Sequence, residues 1–218
     1  MQADKLIKTY SPLEERINIG SHALGAMLSI IALVLLVQHP GLHGDLKASI
    51  SFIVFGLSLI TLYLASTFYH GSKQPLRRAR LRVIDHSAIY VLIAGTYTPF
   101  TVITLNSITG WTILCVAWGL ALAGSVLKIR YTGRYTILST SMYVAMGWLI
   151  IFAIKPLREN LSTNGQFWLV LGGLSYTVGA IIYSIRRIPL NHAIFHVFIL
   201  IGSICHFIAV YFYLLPAT

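Results

Sequence analysis

Three histidines, His192, His196 and His206, interrupt the apolar stretch NHAIFHVFILIGSICHF at residues 191–207. The first two stand four residues apart and so share one face of a helix. Ser66 and His70 repeat that spacing at the end of ASTFYH, and Asp85 lies within LRVIDHSAIY. Neutral imidazole is a good zinc ligand, and catalytic zinc keeps three protein ligands plus an open position for water. A carboxylate beside three imidazoles can hold that water or orient a ligand. Of the acids Asp4, Glu14, Glu15, Asp45, Asp85 and Glu159, Asp85 alone falls inside an apolar run. Such a residue is costly in hydrocarbon and should face the interior of a bundle, beside a partner.

The elements that must position these groups are membrane helices. The chain is 56% hydrophobic and 10% charged, with a mean hydropathy of +0.77, whereas charged residues average about 25% of a soluble domain. Runs of about 20 apolar residues occur near 20–38, 49–70, 83–104, 109–128, 135–154, 166–185 and 192–214. Their connections are short and punctuated by Gly or Pro, as in HPGLHGD and KPLRENLSTNG. The expected fold is all-α, one seven-transmembrane-helix domain over residues 1–218, with residues 1–19 as a short N-terminal segment. That segment carries both signs of charge without an apolar core, unlike a cleavable signal peptide. Cys115 and Cys205 both sit in apolar runs and read as small apolar residues rather than a disulfide.

The net charge of +10 is unevenly distributed. The N-terminus (Lys5, Lys8, Arg16) and the second, fourth and sixth connections, counted through Arg82, hold 13 of the 16 Lys and Arg residues. The other side holds 3, Lys47, Lys155 and Arg158. Cytoplasmic loops collect Lys and Arg, so the N-terminus is expected in the cytoplasm and the C-terminus outside. The basic excess is then a topology signal and not a nucleic-acid patch.

This orientation puts Ser66, His70, Asp85, His192 and His196, from three different helices, at one level near the cytoplasmic side. His206 lies ten residues beyond His196, about 15 Å deeper, too far for a shared ligand shell. Single histidines at membrane interfaces are commonly just hydrogen-bonded to backbone or headgroups. Convergence at one depth is what adds a metal centre to that plain reading. His39 and His43 read as loop residues, and His86, turned about 100° from Asp85 on a helix, as interfacial.

Glu15-x2-Asn18-x3-His22, Ser66-x3-His70, Asp85 in IDHSAIY, GTYTPF at 95–100, and His192-x3-His196 with His206 form an ordered set. The set resembles the hemolysin III family, the bacterial branch of the progestin and adipoQ receptor (PAQR) superfamily, over essentially the whole chain. The resemblance implies a multi-pass protein of the bacterial inner membrane with a zinc ion, Zn2+, on His70, His192 and His196. Asp85 and Ser66 match the groups near the water position, and so are the candidate catalytic residues.

It further implies a zinc-dependent hydrolase acting on a membrane lipid, through an amide or ester. The alternative is a non-enzymatic membrane-homeostasis or sensor protein in which zinc is structural. A membrane-damaging hemolysin fits less well, because the spans are those of an integral protein and not of an amphipathic toxin.

Overall fold

The computed structural model describes residues 10–132 and 134–215. Residues 1–9 of the expected N-terminal segment, with Lys5 and Lys8, and the C-terminal Thr218 lie outside the described residues. Among the described residues every regular element is a helix. In order they are α1 (Pro12–Val37), α2 (Leu46–Gly71), α3 (Pro75–Pro99), α4 (Ile108–Tyr131), α5 (Thr136–Gly147), α6 (Ile154–Asn160), α7 (Thr163–Ser184) and α8 (Asn191–Tyr213). A π-helical segment, Phe100–Leu105, extends α3, and a 3-10 segment, Leu149–Ala153, joins α5 to α6. Among the described residues seven stretches are long and apolar enough to cross a bilayer, with α5, its 3-10 link and α6 counting together over Ile137–Asn160.

Two helices start earlier than apolarity alone suggests, and local chemistry explains both. Ser11 caps α1 by accepting from the Glu14 N–H at 3.2 Å, and Pro12 occupies the first turn. Proline is at ease there because its missing N–H would have no helical partner. The polar turns holding Glu15, Asn18 and His22 therefore belong to the first span. Pro75 likewise opens α3 after a turn of only three residues, Ser72–Gln74, and the arginines Arg77, Arg78, Arg80 and Arg82 become helical.

The helices close a ring. α1 packs on α2, α2 on α3, α3 on α4 and α5, α5 on α7, α7 on α8, and α8 returns to α1. The third span is central: its apolar window is 78% buried, against 17% for the fifth. Outward faces carry Met27, Ile31, Leu122 and Phe152, as lipid contact requires. Between α7 and α8 the approach is close because Gly172 faces His206 and Gly202 faces Tyr176, where any Cβ would overlap the ring.

Breaks in the helices are satisfied internally, since lipid offers no hydrogen bonds. Thr101 Oγ1 donates to the Tyr97 and Thr98 carbonyls around the π turn that follows Pro99. The Tyr97 hydroxyl donates to the Gly147 carbonyl (2.8 Å) and accepts from the Ile150 N–H (3.0 Å), bridging the interruption of the fifth span.

The alternation of helices places the Lys- and Arg-rich connections together, and a topology test follows from the positive-inside rule. A reporter active only outside the cytoplasm should be active when fused after Thr218 and silent when inserted in the Ser72–Gln74 turn. The reverse pattern would exchange the two sides.

Candidate functional site

α2 ends and α8 begins on the same side of the bundle, and this brings His70, His192 and His196 together. The His192 Nε2 lies 3.1 Å from the Nε2 of His70 and 3.1 Å from that of His196. One nitrogen from each residue lies within 4.8 Å of the other two, and all three side chains are buried. A neutral imidazole has one N–H and one lone pair. Three converging Nε2 atoms cannot all find complementary partners among themselves, whereas a cation accepts every lone pair. The donor set is therefore one that suits a metal ion.

The tautomer of His70 is set from behind. Its Nδ1–H donates to Glu15 Oε2 at 2.7 Å, leaving Nε2 with a lone pair directed at the other two rings. The Asn18 amide lies 3.4 Å from the same Nδ1, the weaker of the two contacts. Glu15 in turn pairs with Arg78, whose other terminal nitrogen donates to the carbonyls of His70 and Ser72, both at 3.2 Å. Arg78 thus satisfies carbonyls left open at the C-terminus of α2, a position that also favours a cation. The helix end that carries His70 and the carboxylate that orients it are tied by one guanidinium.

Rings enclose the triad. Tyr10 stacks on His192 with centroids 4.7 Å apart and planes 19° from parallel, and it tilts over His70. His22 stacks on His196 at 3.6 Å and 15°, and neither of its ring nitrogens has a hydrogen-bond partner among the described residues.

Asp85 is buried on α3, within electrostatic reach of His70 and His196. Its Oδ2 lies 3.3 Å from Nδ1 of His86, which donates to the Arg82 carbonyl at 2.8 Å. His86 is accordingly part of the site and not merely interfacial. Ser66 is fully buried one turn along α2 from His70, and its Oγ has no partner among the described residues.

Asp85, His22, His192 and His196 line a mostly apolar cavity of about 190 Å³ that runs past Ile93 and Phe100. His206 lines the same cavity, apart from the triad, with Nε2–H donating to the Leu169 carbonyl at 3.1 Å and its ring edge-on to Tyr176. His39 is not a plain loop residue. It caps the short 3-10 helix Pro40–Leu42, accepting from the Gly41 N–H at 3.0 Å, and its Nε2–H donates to the Tyr211 carbonyl at 2.8 Å.

The family model described as "Haemolysin-III related" matches residues 10–207, a range that contains the three histidines, Glu15, Arg78 and Asp85. The chain belongs to the haemolysin-III-related family. It is 48% identical to Hemolysin-3 of Bacillus cereus over 205 residues, covering 94% of each chain. Identity to the Hemolysin-3 homolog of Bacillus subtilis (strain 168) is 47% over 200 residues, 92% of this chain and 94% of the relative. A more distant similarity extends to the Adiponectin receptor protein of Drosophila melanogaster, 22% identical over 215 residues, 87% of this chain and 48% of the relative. Family and helices together describe a multi-pass membrane protein.

Reading this haemolysin-III-related chain by apolarity alone misses Glu15, Arg78 and Tyr10. Ser11-Pro12-x-Glu14 is a helix-start signal, and it places Glu15, Asn18 and His22 on one face at i, i+3 and i+7. No comparable local signal brings Arg78 to Glu15, because that contact joins α3 to α1 across 63 positions of sequence.

A ligand histidine that loses its outer carboxylate typically loses 10–100-fold in metal affinity. Glu15→Gln should therefore weaken metal binding by about that factor in a chelator competition, with Glu14→Gln unchanged. Equal affinities for wild type and Glu15→Gln would exclude Glu15 from the metal centre.

Proposed function

We propose that this protein holds one zinc ion on His70, His192 and His196 and hydrolyses an amide or ester bond of a membrane lipid. The carrying observation is the convergence of three buried Nε2 atoms with a buried carboxylate in electrostatic reach, against a cavity with mostly apolar walls. Zinc at such a centre would polarise the substrate carbonyl and lower the pKa of water. In this reading Asp85 accepts the proton of the attacking water and returns it to the leaving amine or alcohol. Ser66, whose buried hydroxyl has no partner among the described residues, holds that water in line. The apolar walls take the acyl chain, and Glu15 keeps His70 in its metal-binding tautomer. The Lys and Arg distribution supports a centre facing the cytoplasm, in a protein of the bacterial inner membrane.

The second reading, a homeostasis or sensor protein with structural zinc, draws on Tyr10. Its ring covers His192 and tilts over His70, as a closed structural centre would favour.

Zinc content and hydrolysis together separate the two. The purified protein should carry about one zinc per chain, and His70→Ala, His192→Ala or His196→Ala should lose most of it. The exposed His43→Ala should keep it. Asp85→Asn is nearly isosteric and should retain zinc while fatty-acid release from an amide and ester lipid panel falls by about 10²-fold or more. Full zinc in His70→Ala would overturn the centre. Full activity in Asp85→Asn would remove Asp85 from the chemistry, and no release by wild type above a metal-stripped control would leave the structural reading.

A further inference from the structure

One cation in the wall of the cavity has no role in the chemistry proposed for Asp85 and the triad. Lys128 lies in the last turn of α4, where the helix dipole favours positive charge and a lysine would ordinarily extend outward to headgroups or water. Arg130, two residues on, does so and is exposed. Lys128 does the opposite: it is only 5% exposed and lines the cavity. Its ammonium sits 5.4 Å from the centroid of the Tyr143 ring, and no carboxylate lies within ion-pair distance of it among the described residues.

Other charges bear on the same place. Arg82, buried on α3, lines the cavity and lies within electrostatic reach of Lys128, as does Asp85. Among the described residues Asp85 is thus within electrostatic reach of Lys128 without forming an ion pair with it. A ring face replaces part of the hydration of a buried ammonium, but not its need for a counter-charge. The rest of the cavity wall, which reaches His206 and Tyr176, is mostly apolar. An amphiphile with an anionic head and a hydrocarbon tail would answer both features at once.

We propose that Lys128, with Arg82 beside it, anchors the anionic head group, phosphate or carboxylate, of a single-chain lipid whose tail fills the cavity. The inference rests on the cavity of the proposed hydrolase taking a lipid, but not on turnover. It names the substrate class as charged amphiphiles and makes Lys128 the residue that selects them. The tail enters the space along Ile93 and Phe100, and the bond to be cleaved would lie toward Asp85 and the triad.

Binding can be measured without any hydrolysis, by native mass spectrometry of the full chain released from neutral detergent. The probes are dodecyl phosphate, dodecanoate, dodecanol and inorganic phosphate. Wild type should bind one or both charged amphiphiles at least about 10-fold more tightly than dodecanol, the scale of one charge-assisted hydrogen bond. Inorganic phosphate should bind far more weakly than dodecyl phosphate, because it lacks the tail. Lys128→Met keeps the length and apolar stem and should bring charged and neutral probes within about twofold, while Lys128→Arg preserves the preference.

Equal binding of dodecanol and both charged probes by wild type would overturn the proposal without recourse to any variant. So would an unchanged preference in Lys128→Met. Inorganic phosphate binding as tightly as dodecyl phosphate would overturn the lipid assignment in favour of a free-anion site. Because no outcome depends on product release, a failed hydrolysis assay leaves this measurement standing, and loss of head-group preference leaves the zinc measurements standing.

Discussion

Three imidazole Nε2 atoms turned toward one another are the constraint around which the rest of this bundle is organised. The arrangement in His70, His192 and His196 is unfavourable unless something positive lies between them, and it is held by groups that do little else. Glu15 fixes the proton of His70 on the far nitrogen. Arg78 fixes Glu15 and the helix end from which His70 projects. The rings of Tyr10 and His22 lie against His192 and His196. Removing any of these leaves the convergence less well paid for, so the end of α2 and the starts of α1, α3 and α8 form one mechanical unit.

Part of that unit lines a cavity whose remaining walls are mostly apolar, and the contrast between the two sets the electrostatics there. A low dielectric strengthens every electrostatic interaction within it. Asp85, unremarkable at a water-exposed surface, acquires leverage on the histidines because little else screens it. The same reasoning applies to Lys128 and Arg82 in the cavity wall: charge that would be lost in solvent becomes a selective feature. Deeper in the bundle the polar groups are of another kind. Tyr97, Thr101 and His206 each pair with backbone carbonyls and keep interrupted or closely packed helices intact without any charge.

The seven helices and their polar residues were legible in the chain because two simple periodicities write them there. Apolar runs of bilayer length mark the spans, and the i, i+4 spacing of His192 with His196 and of Ser66 with His70 marks shared faces. Alternating charge in the connections supplies an expected orientation. From these alone His70, His192 and His196 could be set at one depth with Asp85, and His206 set apart; the fold brings the three histidines together. The early start of α1 was also written locally, in Ser11 and Pro12, although the search for apolar runs passes over it.

What only the tertiary structure decided is which polar groups meet across helices. Glu15, Arg78 and His70 come from three different spans, and no spacing along the chain encodes their contact. Tyr10 on His192, His86 beside Asp85, His39 bonded to Tyr211, and Lys128 turned inward while Arg130 faces out are of the same kind. The physical reason is that depth in a bilayer follows from counting residues, one coordinate that hydrophobicity enforces. Rotation and lateral neighbourhood depend on how small residues such as Gly172 and Gly202 let helices approach, and on every other helix in the ring. A sequence states how deep a side chain lies; only the packed bundle states what it touches.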